Sequence, residues 1–139
     1  GKGVLVPGGT FSANQGQGVE GSARLQFGSD ALIINVHDQD TGELVYTEDL
    51  GPHGPGDHSI AWDGRDNSGQ MAPSGNYIMS ANVTSGGALV ATPVSTMAQV
   101  KSVKWDPNLQ ELTLEINDGE YVSLSQVERI SSFYEHTDY

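Results

Sequence analysis

Three groupings of residues in this chain have the types and spacing that chemistry needs. His53 and His58, with Asp57 and Ser59 beside the second histidine, could ligate zinc through imidazole nitrogen or act as base and nucleophile. Asp38, Asp40 and Glu43 around Gly42, and Asp63 with Asp66, could offer clustered oxygens to a hard cation such as calcium. Carboxylate neighbours Glu48 with Asp49, and Asp118 with Glu120, are the acid pairs that glycoside hydrolysis uses.

Each grouping has a plainer reading, and the plainer reading is preferred. The histidines lie in or beside a glycine- and proline-rich stretch, residues 51–57, with no HExxH pair and no nucleophile elbow, so solvated loop histidines are expected. The acidic clusters lack the twelve-residue calcium-loop pattern and fall between apolar runs, where Asp side chains cap turns. With 18 acidic residues in 139, adjacent carboxylates arise by coincidence. His37 is expected to end a strand, and Tyr134, His136 and Tyr139 to lie in a tail. No catalytic residue, metal ligand or cofactor is therefore assigned.

The elements that must position these residues follow from composition. Six Lys plus Arg against 18 Asp plus Glu give a net charge of −12, which repels a phosphate backbone or an anionic membrane surface, so no nucleic-acid binding is expected. No stretch approaches the roughly 20 apolar residues that span a bilayer, so no membrane insertion is expected. Cysteine is absent, which excludes disulfides, thiolate nucleophiles and the commonest zinc sites. The opening residues, with one Lys and a short apolar patch at 4–6, do not read as a signal peptide. Eighteen glycines and six prolines cut the chain into short runs rich in Val, Ile, Leu, Thr and Tyr, an all-β signature.

Period-two alternation predicts strands over 19–27, 31–37, 43–50, 59–62, 77–83 and 88–92, about six at the spacing of a sandwich. Residues 31–37 and 43–50, joined through Asp38-Gln39-Asp40-Thr41-Gly42, predict a hairpin. After Pro93 the pattern restarts, with strands over 97–105, 109–116 and 121–124 forming a meander. Asn117-Asp118-Gly119 turns the second hairpin, and Ser125 with Glu128 forms a capping box for one helical turn. Residues 8–18 read as a linker. A three-residue strand at 4–6 buries nothing alone, and pairing it with the closing meander predicts a sandwich, residues 17–93, inserted into a small barrel built from 1–16 and 94–131, with 132–139 as a tail. Trp105 and Tyr121 are expected in the barrel core in preference to an aromatic cage.

The segment from Trp62 to Tyr77 carries the sharpest motif. Trp62 ends a strand and can plug the core, Asp63 and Asp66 can accept loop N–H groups, and Gly64, Gly69 and Gly75 permit positive φ. Pro73 sets the chain before Tyr77 enters the next strand.

With Trp62, Asp63, Gly64, Asp66, Gly69, Pro73, Gly75 and Tyr77 together, the chain resembles the bacterial flagellar hook-assembly, or hook-capping, family FlgD. The opening Gly1-Lys2-Gly3-Val4-Leu5-Val6-Pro7-Gly8, the Val100 and Val103 pair, and residues 112–127 resemble that family's tudor-like barrel. The resemblance implies an immunoglobulin/fibronectin-III-like sandwich inserted into a tudor-like barrel. It also implies a non-enzymatic scaffold, exported through the flagellar channel to the distal end of the growing hook. The implied partners are hook-protein subunits and further copies of itself, as a homo-oligomer at the tip. Exposed residues of loops 52–57 and 65–70 are candidate contact points. An adhesive or carbohydrate-binding sandwich with exposed aromatics as the sugar platform is the alternative, and a hydrolase fragment a remote third.

Overall fold

The computed structural model describes residues 2–117, 120–126 and 129–132. It is built of strands, with a single short 3-10 turn at Leu124–Gln126 among the described residues. Two compact units divide the chain: Gly8–Thr96, and Gly1–Pro7 with Met97–Tyr139. Residues 8–16 and 94–96 thus belong to the larger unit, where the expected division placed them with the smaller.

In the larger unit, β2 (Thr10–Ala13), β4 (Ala31–Asp38), β5 (Leu44–Asp49) and β7 (Gly75–Ser85) form one sheet in the order β2-β7-β4-β5, with β8 (Ala88–Thr92) also paired to β7. Opposite it, β3 (Val19–Leu25) pairs antiparallel with both β6 (Gly56–Trp62) and β9 (Val94–Gln99). Alternation decides which side chains face inward. Leu32, Ile34 and Val36 of β4 and Tyr77, Met79, Ala81 and Val83 of β7 are all buried, and they meet Ala23, Leu25, Ile60 and Trp62 from the second sheet. The β4–β5 hairpin forms as expected: the Asp38 N–H donates to the Glu43 carbonyl at 2.9 Å and that of Gly42 to the Asp38 carbonyl at 2.8 Å, with Gly42 at φ 78°, a conformation glycine adopts without strain.

The stretch expected as a linker contains β2. Thr10–Ala13 pairs with Asn76, Tyr77 and their neighbours in β7, and Phe11 and Ala13 enter the core. Four residues with two apolar positions are too short a run for periodicity to reveal, and the strand is held by pairing with a partner more than sixty positions away.

In the smaller unit, β1 (Lys2–Pro7) pairs antiparallel with β13 (Arg129–Ser132) and lies next to β9 in the sheet order. A separate three-stranded sheet holds β10 (Ser102–Asp106), β11 (Glu111–Asn117) and β12 (Glu120–Ser123). The opening strand therefore hydrogen-bonds to β13 on one side and to β9, which contains the start of the expected meander, on the other, and Val4 packs with Leu114 and Ile116 of β11 in one apolar cluster. The single strand expected over 97–105 is two strands, broken at Val100 and Lys101, because its halves join different sheets. Of the expected capping-box turn, Ser125 lies in the 3-10 turn and Ile130 in β13. Val127 and Glu128, the Asp118-Gly119 turn and the tail from 133 onward lie outside the described residues. Among the described residues none of the three sheets closes on itself, and one branches at β7 to take β8, where a closed barrel was expected.

Candidate functional site

The Trp62–Tyr77 segment is built from the core outward. In β6, Ile60 and Trp62 face inward while Ala61 is exposed, which places the indole against Tyr77 at a ring separation of 5.2 Å and Phe11 at 5.8 Å. Phe11 also stacks on Tyr77 at 5.9 Å. These separations are those at which aromatic pairs attract beyond their buried area. Both polar handles of the cluster are satisfied: Trp62 Nε1–H donates to the Arg65 carbonyl at 2.8 Å, and the Tyr77 hydroxyl donates to the Pro73 carbonyl. Burial, with the Asp38 charge nearby, pushes the Tyr77 phenol pKa up, so it remains a donor at neutral pH.

The loop closes on itself through its acids. Asp63 Oδ1 accepts the Arg65 N–H at 3.0 Å. Asp66 Oδ1 accepts the Ser68 hydroxyl at 2.6 Å and the N–H groups of Ser68 and Gln70 at 2.9 and 3.0 Å. These donors, the Ser68 hydroxyl first, hold the Asp66 carboxyl below its ordinary pKa. Arg65 Nη1 donates to the Gly69 carbonyl at 2.9 Å. One oxygen of each carboxylate, Oδ1, is thus engaged in turn capping. Asp38 behaves alike, accepting the Asp40 and Thr41 N–H groups at 2.8 and 3.1 Å. Among the described residues no group of three or more His, Asp and Glu is placed to hold a metal ion.

Two anchors of this loop lie beyond the sequence motif. Asn67 bonds Thr47 of β5 in both directions, accepting its N–H at 2.9 Å and donating to its carbonyl at 3.0 Å, as a neighbouring strand would. Residues 14–18 form a second wall: Gly16 N–H donates to the Ala72 carbonyl at 3.1 Å, and a Cβ on Gly64 would lie 2.6 Å from the Gly16 carbonyl carbon. Gly64 has φ 88° and Gly69 φ 90°, while Gly75 opens β7 with φ outside the left-handed region. The eight motif residues, Trp62, Asp63, Gly64, Asp66, Gly69, Pro73, Gly75 and Tyr77, lie in one segment that closes on itself through these hydrogen bonds. Arg65, Asn67, Ser68, Gly69 and Gln70 remain at its outer side, all five exposed.

A family model described as the FlgD Ig-like domain matches residues 8–87, the span that holds Phe11, the loop and Tyr77. The chain belongs to this FlgD family. It is 35% identical over 104 residues to the basal-body rod modification protein FlgD of Salmonella typhimurium, an alignment covering 68% of this chain and 44% of that protein. The FlgD-family chain thus spans less than half the length of that curated relative. Among solved structures, FlgD from P. aeruginosa superposes with a TM-score of 0.76 at 28% identity, covering 91% of this chain and 94% of the other. FlgD from Xanthomonas campestris gives 0.81 at 24% identity, with 94% and 93% covered.

Other candidate residues of the FlgD-family chain fall elsewhere. Glu48 accepts the Tyr46 hydroxyl at 2.7 Å, which drives the phenol pKa up to about 12, and Asp49 caps the Gly51 N–H at 2.8 Å, so the two acids do not converge. Trp105 and Tyr121, expected in a barrel core, are 55% and 51% exposed. Trp105 is opposite Leu112, on the face of the sheet that also carries Leu114, whereas Tyr121 is opposite Glu115 on the other face; directly paired residues share a face and successive ones alternate. The two rings therefore form neither a cage nor a common platform. His53 and His58, expected to be solvated, are both half-buried with rings 4.8 Å apart.

Proposed function

We propose that this chain is part of a non-enzymatic scaffold that caps the growing flagellar hook and promotes assembly of hook subunits. In this reading it works at the distal end of the hook, with hook-protein subunits and further copies of itself as partners, after export through the flagellar channel. The supporting observation is membership of the FlgD family. With it go the 104-residue alignment to a basal-body rod modification protein and the likeness to the Xanthomonas campestris FlgD, a protein described in terms of hook capping essential for flagellar assembly.

The shape of the loop suits such a task. A scaffold that meets a succession of subunits needs contact loops whose backbone does not reorganise at each encounter, since ordering a flexible loop costs free energy every time. The 63–73 segment is held by its own acids and by Asn67, and it leaves Arg65, Ser68 and Gln70 at its outer side. The immunoglobulin/fibronectin-III-like sandwich is the domain that presents it.

The test is genetic complementation. In a flagellated strain lacking its own FlgD, the full-length gene containing this chain should restore hooks on basal structures seen by electron microscopy. Exported, stable protein with basal structures still hookless would reject the proposal.

A further inference from the structure

We propose that His53 and His58 form a two-histidine clamp for one divalent transition-metal ion, with water completing its shell. The tautomers are set by their partners. His53 Nδ1 lies 3.0 Å from the Gly51 carbonyl and His58 Nε2 lies 2.7 Å from the Gly54 carbonyl. A carbonyl oxygen only accepts, so each of these nitrogens carries its proton. The lone pairs are left on Nε2 of His53 and Nδ1 of His58. Metal-binding histidines characteristically donate their second N–H to a carbonyl or carboxylate in this way, which orients the ring and raises its basicity.

The spacing matches as well. With a metal–nitrogen bond of about 2.0–2.1 Å, an imidazole centre sits about 3.2 Å from the ion, so two rings at right-angled to tetrahedral positions have centres about 4.5–5.2 Å apart. The observed separation is 4.8 Å, with the ring planes at 80°. Both histidines are also held by their backbones. His53 exchanges main-chain hydrogen bonds with Ser29 at 2.9 and 3.3 Å, and His58 lies in β6 opposite Ala23. The neighbouring Asp57 carboxylate is turned to Arg24 at 2.9 Å. Two imidazoles select copper, nickel and zinc over calcium and magnesium, with copper(II) bound most tightly. An ion so held ties the residue 51–55 connection to β6.

The experiment is titration of the full chain, without any affinity tag, with copper(II), nickel(II) and zinc(II), read by calorimetry and, for copper, by nitrogen hyperfine structure in electron paramagnetic resonance. One ion per chain with two-nitrogen hyperfine coupling is expected. His53→Ala and His58→Ala should each weaken binding at least about 10-fold, while His37→Ala and His136→Ala leave it unchanged. Zinc should raise the melting temperature of the wild type but not of either clamp variant. Melting in the absence of metal establishes that each variant is folded, and His53→Gln and His58→Gln repeat the comparison with side chains that keep most of the ring's bulk. Affinity within about twofold of wild type in the folded His53 and His58 variants, or coupling to a single nitrogen, would overturn the proposal.

Discussion

Val4 lies opposite Ile130 in the antiparallel ladder that joins the opening strand to the last described strand. The pairing brings together segments from the two ends of the chain, and Val4 is fully buried against Leu114 and Ile116. Replacing Ile130 by Pro removes a donor from this ladder and fixes φ. Amide-exchange protection of Gly3, Val4 and Leu5 should then fall, while that of Leu32, Ile34 and Val36 in β4 is kept. Uniform loss across both sets, or none in either, would contradict the pairing.

Trp62 is the centre of the larger core. Trp62→Ala should cost about 3–5 kcal/mol in urea unfolding of that unit. Trp62→Phe keeps much of the packing but leaves the Arg65 carbonyl without its donor, at a cost of about 1–3 kcal/mol. An alanine variant losing under about 1 kcal/mol would show that the indole does not hold the loop to the core.

Glycines of the loop region should separate by sterics rather than by composition. A Cβ on Gly18 would fall 1.9 Å from the Trp62 carbonyl oxygen, whereas one on Gly69 meets nothing within 4 Å. Gly69→Ala should therefore cost only the strain of its positive φ, about 1–2 kcal/mol. Gly18→Ala must move the backbone of 16–18 away from β6 and should lower the melting temperature further.

Asp66 should titrate below the ordinary Asp value of about 3.9 when followed by carbon-detected NMR. Because its folded pKa is lowered, the stability it contributes is present above the unfolded value and lost as pH falls through the folded one. Asp66→Asn should remove that part of the acid dependence. A native value at or above the unfolded one would remove the role given to Ser68 and Gln70.

The two tryptophans should differ in solution. Trp105, 55% exposed, should be quenched readily by iodide or acrylamide, and Trp62, 3% exposed, should not. Trp105→Ala should change stability by about 0.5 kcal/mol or less, as a surface substitution.

Legibility follows the range of the interactions. The 31–38 and 44–49 hairpin is visible because alternation and turn residues are adjacent in sequence. The Trp62–Tyr77 motif is equally plain, since its aspartates, glycines and proline act on neighbours within a few positions. Strand β2 is hidden because its partner in β7 is remote, and β13 because four residues flanked by a capping pattern carry no periodicity of their own. Asn67 acting on Thr47 leaves no trace, since an Asn in a turn is common and its target lies on another strand. Trp105 and Tyr121 read as core residues because aromatic type suggests burial, whereas the register places them on opposite faces of a sheet that leaves half their surface in water.

Residue types and their near neighbours are enough to establish the all-β class, the exclusion of cysteine chemistry and the local shape of the loop, because these depend on contacts within a turn's reach. The chain had to fold before Val4 could meet Ile130, residues 14–18 could wall the loop, and the rings of His53 and His58 could stand 4.8 Å apart. Such relationships are set by strand register and side-chain packing between segments that no local pattern connects.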